Sequence, residues 1–458
     1  MANHKTSGSD MSIIVAPPDV RKVVSSIRIG ELLEKGQSQE VLKLVRHAND
    51  QYLHWHSFRY RPVPKDISHE EVWALIKLGR MANMKSAPFT DKTGKPFAYW
   101  VPDCLMMALN KIDRWSGGNI TTSRADSLAP KEQYIIRSLM DEAIASSQIE
   151  GAATTRKAAK EMLRTGRRPR DISEQMILNN WETMQFIREN RNVKLTPDLL
   201  LEIHSMITAE TLEDPKEAGE LRTRDDIVVE YNGKTIHVPP KASELPSRIE
   251  ALCDFANHNE SDNWIHPVIK GAMLHFWLAY DHPFTDGNGR TARALMYHHL
   301  LSRDYLLFEY LAISSYILRA RAQYVRAYLF TETDSNDLTY FFEYNVKAIL
   351  SAFEELQKYL DRKQRELAKS NELLKSYRGL NHRQKSLIYH AIRHPDESLS
   401  IQAHQSYHAI VYETARRDLI GLAAKGFLTK TKRGREHVFI AVDKMIEKLR
   451  LKTAQLSK

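Results

Sequence analysis

Apolar residues recur at three- and four-residue spacing along most of the chain, the period of one face of an α-helix. Residues 38–53 (SQEVLKLVRHANDQYL) and 70–82 carry this stripe, and helical pattern resumes near Lys131. A Gly/Ser/Thr/Pro-rich stretch, 116–130 (SGGNITTSRADSLAP), reads as the connection closing an N-terminal helical region. GRRPRD at 166–171 reads as a basic surface loop. In TPDLLLEIHSMIT, 196–208, a Thr cap and a Pro in the first turn open an apolar helix. Further helices are expected at 245–258, 266–281 and, as a charged amphipathic bridge, 351–376.

The period changes from helix to strand at two places. IVVEYNGKTIHV, 227–238, sets two β-prone runs around Asn232-Gly233, both of which tolerate positive φ, and predicts a hairpin stopped by Pro239-Pro240. Near the end, three short helices (381–393, 400–407, 410–425) precede GFLTKTKRGREHVFIA, read as two strands about an Arg433-Gly434-Arg435 turn. Three helices and a two-stranded wing are the pattern of a winged helix. The fold class expected is mainly α: a helical N-terminal region, 1–125; a helical core, 126–350, with the hairpin as a flap; a linker helix, 351–376; and a winged helix-turn-helix domain, 377–458.

Composition narrows the function classes. The 458 residues carry 42% hydrophobic and 27% charged residues, as soluble globular chains do. No apolar run approaches the roughly 20 residues that cross a bilayer, and the N-terminus lacks the pattern of a signal peptide. The two cysteines, Cys104 and Cys253, suggest neither a metal site nor a disulfide framework. A cytoplasmic protein without a membrane partner fits. The formal net charge of +9 is compatible with an anionic partner, nucleotide or nucleic acid. Residues 381–440 contribute a local excess, with ten Lys/Arg against five Asp/Glu.

One string concentrates chemistry. HPFTDGNGRTAR, 282–293, lies between two apolar helices, which puts Gly287-Asn288-Gly289 in a tight loop opening a helix. Glycines let backbone approach a ligand, and free N–H groups at a helix N-terminus receive phosphate oxygens. Arg290 and Arg293 add guanidinium clamps a turn apart. Asp286 is the single carboxylate that suits Mg²⁺ beside phosphates. His282 is the one group in the string able to take a proton near neutrality, and Phe284 points inward as an anchor. Taken singly, a His before Pro or a GNG is usually only a turn; eight specified positions together arise by chance on the order of once in 10¹⁰ windows.

The string resembles the signature of the Fic (filamentation induced by cAMP) family, H-x-F-x-[DE]-G-N-G-R-x-x-R, at every specified position. The resemblance implies a helical core, reaching loosely over 131–345. It implies transfer of AMP from ATP to a Ser, Thr or Tyr hydroxyl of a target protein, with Mg²⁺ or Mn²⁺ as cofactor. By the resemblance His282 is the base, Asp286 the metal ligand, and Phe284, Gly287, Asn288, Gly289 and Arg290 form the nucleotide site, with Arg293 on the γ-phosphate. A kinase branch carries Lys where this chain has Gly289, so AMP transfer is favoured. A P-loop at Gly233-Lys234-Thr235 fails because Val228 occupies the place of its first glycine.

The resemblance extends to a restraint. Ser146-x-x-x-Glu150-Gly151, ending a helix at 131–152, matches the family's inhibitory pattern [ST]-x-x-x-E-[GN], whose glutamate pairs with the second arginine, here Arg293. Restraint would act within the molecule or between copies of a homo-oligomer. The flap edge at Ile236, His237 and Val238 would pair with a target's backbone. The winged helix, through Arg416, Arg417, Lys430, Lys432, Arg433 and Arg435, suits either duplex DNA or a packing role, with Glu413 and Asp418 diluting its recognition face. Two alternatives stay open: an enzyme removing AMP from modified targets, and a DNA-binding regulator with a nucleotide-sensing core. Self-modification is compatible with all of this.

Overall fold

A computed structural model describes residues 14–26, 29–116, 131–258, 264–376, 379–393, 397–408, 410–433, 436–442, 445, 447–449 and 451. Most of the connection expected at 116–130 and the Gly434-Arg435 tip lie outside the described residues. The chain divides into two compact units, residues 1–117 with 137–353 and residues 118–136 with 354–458. No described helix is long and apolar enough to cross a membrane.

In the first unit the helix Gln39–Asp50 packs on His69–Met81, which starts in a reciprocal capping box between Ser68 and Glu71. Trp55, Phe58 and Trp73 fill the space between them. The next segment departs from the helical reading. Lys85–Thr90 and Pro96–Tyr99 pair as an antiparallel hairpin. Ala87, Phe89, Phe97 and Tyr99 are buried at alternate positions, the period of a strand. Asp91 closes the turn by accepting from Thr93 and Lys95 backbone N–H groups, and Gly94 has φ +83°. Phe89 stacks on Trp277, tying the hairpin to the central helices.

Those central helices, Pro267–Asp281 and Asn288–Ser302, are buried on nearly every face, as an apolar helix at the middle of a core must be. Lys131–Ile149, Ile172–Glu189, Pro197–Thr208 and Leu245–Asn257 belong to the same unit from Arg137 onward, together with Ile313–Arg319 and Arg321–Thr333. Thr196 caps Pro197–Thr208 through Leu199 N–H, as its sequence predicts. The GRRPRD segment connects two helices, but Arg167 is not simply solvated: it holds Glu174 through two bonds of 2.6 and 2.7 Å.

In the second unit the helices His382–Arg393, Ile401–His408 and Tyr412–Ala424 surround Ile388, Leu419, Leu422, Phe427 and Phe439. Two strands were expected after them; the sheet has three. The short strand Leu399–Ser400 pairs with Glu436–Ala441, which also pairs with Leu428–Arg433. Two residues give too little pattern to read as a strand. Asp418, expected on the exposed recognition face, is instead buried and accepts hydrogen bonds from Asn381 and Arg383.

Candidate active site

The string 282–293 joins the two central helices. His282 ends the first helix in the left-handed region, φ +46°, and Gly287 precedes the second at φ +81°. Between them, Phe284 N–H donates to Asn288 Oδ1 and Asn288 Nδ2 donates to Phe284 O, at 2.9 and 2.8 Å. Asn288 thus fastens the loop to itself. Phe284 is fully buried and stacks on His204, ring centroids 3.6 Å apart. Phe284 and Asn288, both expected among the nucleotide-binding set, form the floor that shapes the glycine turn.

His204, which the sequence reading passed over, supports the turn from below. Gly219 N–H donates to its Nδ1 at 3.0 Å, so Nε2 carries the proton and donates to Asp286 O at 2.9 Å. Burial lowers its pKa to about 4, which keeps this neutral tautomer. A side chain on Gly287 would strike Thr208 at 2.7 Å, one turn further along the same helix. The available signal was a polar ring within the apolar stripe of Leu200, Ile203 and Ile207.

His282 Nδ1 faces Ala279 O at 3.3 Å; a carbonyl only accepts, so Nδ1 donates and the Nε2 lone pair is free. Burial pushes its pKa down to about 4, leaving it unprotonated at neutrality. Its strained backbone is gripped by Arg222, also missed in the sequence. Arg222 Nε donates to His282 O at 2.9 Å, Nη1 to Arg224 O and Nη2 to Pro240 O. Arg222 N–H donates to Pro283 O. Below it, buried Asp281 is raised to about 6 by burial while pairing with Arg248 and accepting from Trp277 Nε1.

Asp286 projects to solvent, its side chain 61% exposed, with Oδ2 3.2 Å from Arg290 Nη2. Arg290 is fully buried, donates Nη1 to Ile207 O, and leaves Nε without a partner. Arg293 is buried too. Its Nε donates to Ser146 Oγ, and its Nη2 to Ser146 O and Glu150 Oε1 at 3.0 and 2.8 Å. Its Nη1 has no partner. A Cβ on Gly289 would collide with Glu150 Oε1 and approach that Nη1 to 3.2 Å. Glu150 therefore stands directly over the glycine turn. Gly151 follows at φ +101°, and Ala152 N–H returns to Ser147 O, closing the helix as only glycine does without strain.

A cavity of about 170 Å³ opens beside this cluster, with Glu150, His282, Gly289 and Arg293 on one side and Ile236 and Tyr231 of the flap on the other. The flap is the hairpin Val229–Tyr231/Lys234–His237, with Asn232 and Gly233 at φ +51° and +72°. His237 turns inward, its Nε2 2.7 Å from Tyr280 O and its Nδ1 2.9 Å from Glu332 Oε2. Val238 is 44% exposed and its carbonyl accepts from Lys92 Nζ of the N-terminal hairpin.

The arrangement has the parts of a phosphate receptor: an open glycine turn at a helix start, an orphaned guanidinium nitrogen and a neutral imidazole on one cavity. No group of three or more His, Cys, Asp or Glu among the described residues would hold a metal alone. Asp286 by itself suits an ion that takes its other ligands from phosphate and water.

Residues 194–300 match the family model described as "Fic/DOC family". A protein adenylyltransferase Fic from Nematostella vectensis is 29% identical over 196 residues, 41% of this chain and 43% of that protein. One of the same name from Drosophila willistoni is 36% identical over 115 residues, 25% and 21% respectively. The chain thus spans less than half the length of these curated relatives. The crystal structure of a Fic family protein from Desulfovibrio desulfuricans G20 shares the fold, with TM-score 0.50 over 74% of this chain and 96% of that one at 19% identity. The signature at 282–293 stands inside the matched segment, so residues 194–300 resemble the Fic/DOC family, and the helical fold around them is shared with a solved Fic family protein.

Proposed function

We propose that the protein is a protein adenylyltransferase, moving AMP from ATP to a target hydroxyl, and that Glu150 holds it at low basal activity. The observation carrying this reading is the carboxylate of Glu150 over the Gly289 turn, paired with Arg293 while Arg293 Nη1 is unmatched. The turn 287–289 receives α- and β-phosphate oxygens, and Arg293 takes the γ-phosphate through the nitrogen now without a partner. Asp286 would hold Mg²⁺ or Mn²⁺, which supplies neutralisation of phosphate charge. His282 Nε2 removes the proton of a Ser, Thr or Tyr hydroxyl. The hydroxyl oxygen bonds the α-phosphorus as the α–β bridging bond breaks, and pyrophosphate leaves. The edge at Ile236–Val238 aligns the target through its backbone.

Glu150 opposes this by repelling the triphosphate and by occupying the guanidinium that the γ-phosphate requires. Incubation with α-labelled ATP and Mg²⁺ tests the reading. Glu150→Gly is expected to raise protein labelling by about 10–100-fold, His282→Ala to abolish it, and γ-label to remain untransferred, for a barrier change of a few kcal/mol. Equal labelling by native protein and Glu150→Gly disproves the restraint.

A second reading uses the same placement, because Glu150 and His282 line one cavity. Glu150 would then orient water for release of AMP from a modified target, read out as AMP freed from pre-labelled protein. The second unit we read as a winged helix presenting exposed Arg416, Arg417, Lys430 and Lys432. A steep fall of duplex affinity with salt in the full chain is the outcome expected of DNA binding, and absence of affinity assigns the unit to packing.

A further inference from the structure

The helix Lys131–Ile149 carries a buried acid for which the proposed chemistry has no use. Glu142 is 2% exposed and lies two turns before Glu150, on the same face as Ser146. It meets three donors or hydroxyls. Ser314 N–H donates to its Oε2 at 2.8 Å, the Ser314 hydroxyl donates to its Oε1, and Tyr297 OH lies 3.0 Å from Oε2. Tyr297 follows Arg293 by one turn on the signature helix. The two helices are therefore joined by two polar contacts one turn apart, Glu142 on Tyr297 and Ser146 with Glu150 on Arg293.

The proton count of the lower contact is informative. Tyr297 has one proton and two acceptors in reach, Leu311 O at 2.9 Å and Glu142 Oε2; Ile313 N–H also donates to its oxygen at 3.2 Å. If Tyr297 donates to Leu311, only a protonated Glu142 completes the set by donating to Tyr297. Burial raises the Glu142 carboxyl in the direction that this assignment requires. A neutral acid with every hydrogen bond made is a low-cost way to fix one helix against another in a dry interior.

We infer that Glu142 is a positioning residue: its contact with Tyr297 and Ser314 holds the helix in the register that keeps Glu150 on Arg293. The inference rests on the restraint proposed above. Without the lower contact, the helix is held by Asn180 Nδ2 donating to Ala143 O and Ser147 Oγ donating to Met176 O, and its end at Glu150 by the Arg293 bonds. Glu150 then leaves Arg293 for part of the time and ATP finds the guanidinium open.

The test uses the full chain with Glu142→Ala, Glu142→Gln, Glu150→Gly and the pair Glu142→Ala/Glu150→Gly, each with Mg²⁺ and α-labelled ATP. Glu142→Ala is expected to transfer about tenfold faster than native with a lower KM for ATP, while the pair matches Glu150→Gly within about twofold, since changes releasing one contact do not add. Glu142→Gln keeps all but one hydrogen bond and falls between native and Glu142→Ala. A folded Glu142→Ala protein that is no faster than native, beside a faster Glu150→Gly, overturns the inference and leaves the restraint standing. A rise of equal size on top of Glu150→Gly also overturns it, because the effect then does not pass through Glu150. A Glu150→Gly protein that is itself no faster removes the restraint and, with it, the inference. Should Glu142→Ala not fold, Glu142→Gln and Ser314→Ala carry the test: a rise in either supports the latch, and no rise in both rejects it.

Discussion

At the scale of single residues, the site combines strain with grip. His282 sits at φ +46°, a region that costs a non-glycine residue on the order of 1 kcal/mol or more. Arg222 offsets this by binding the carbonyls of His282 and Pro240. Arg222→Lys loses that fork. In the Glu150→Gly background we expect kcat to fall by about 100-fold, with ATP affinity unchanged because Arg222 faces the imidazole's backbone rather than the glycine turn. Single-turnover rates beside equilibrium ATP titration separate the two effects. Gly287→Ala meets both a positive φ of 81° and Thr208 at 2.7 Å. A loss of about 2–3 kcal/mol in urea unfolding is expected, and a loss under 0.5 kcal/mol contradicts the crowded-turn account. Because burial sets His282 near 4, the proposed base is available well below neutrality. The Glu150→Gly rate should stay level as pH falls through 6.5 and drop only near 4, whereas a break at 6.5 would mean a solvated imidazole.

At the scale of elements, what could be read depended on whether one segment held both the pattern and its reason. The flap was legible because Asn232-Gly233 carries its own turn chemistry and the strands alternate around it. The signature string was legible because its glycines, imidazole and guanidiniums are consecutive. The hairpin Lys85–Tyr99 was not, since Pro88 and Pro96 hide its alternation and its inward Phe89 is explained only by Trp277, far along the chain. Arg222 and His204 were missed for a related reason: their partners are backbone carbonyls and N–H groups of remote loops, which no residue type announces. The resemblance supplied the pairing of Glu150 with Arg293, and composition alone would have left Glu150 on a solvated face. The flap turn offers a test of its own role. Gly233→Val places a β-branched residue at φ +72° and should unfold the hairpin. Labelling of other proteins is then expected to fall at least tenfold in the Glu150→Gly background, while ATP affinity holds. Parallel loss of ATP affinity would show that the flap serves the nucleotide instead.

Across the first unit as a whole, burial leaves its mark on histidines above all. His54, His275 and His299 are lowered to about 3, His204 and His282 to about 4, and His56 and His298 are lowered as well, desolvation leading in each. These groups bind protons more readily in the unfolded chain, where they titrate near 6.5. The stability they contribute is therefore complete above 6.5 and is lost as pH falls from there toward 4. Burial acts in the opposite sense on three acids, Glu142, Asp281 and Asp337, whose carboxyls are raised. For them, acidification from the folded value down toward the unfolded one, near 4, neutralises a desolvated charge and adds stability. Seven histidines oppose three acids, so the net slope of stability between 4 and 6.5 is positive with pH. The thermal midpoint of the native chain should fall by on the order of 10 °C from pH 7 to pH 4.5, most of it below 6.5. Replacing His275, whose ring lies between Tyr324 and Phe341 and which has no part in the proposed chemistry, by Gln should flatten that slope measurably. A midpoint that stays level or rises on acidification would mean that the three acids, not the histidines, govern the response of the core.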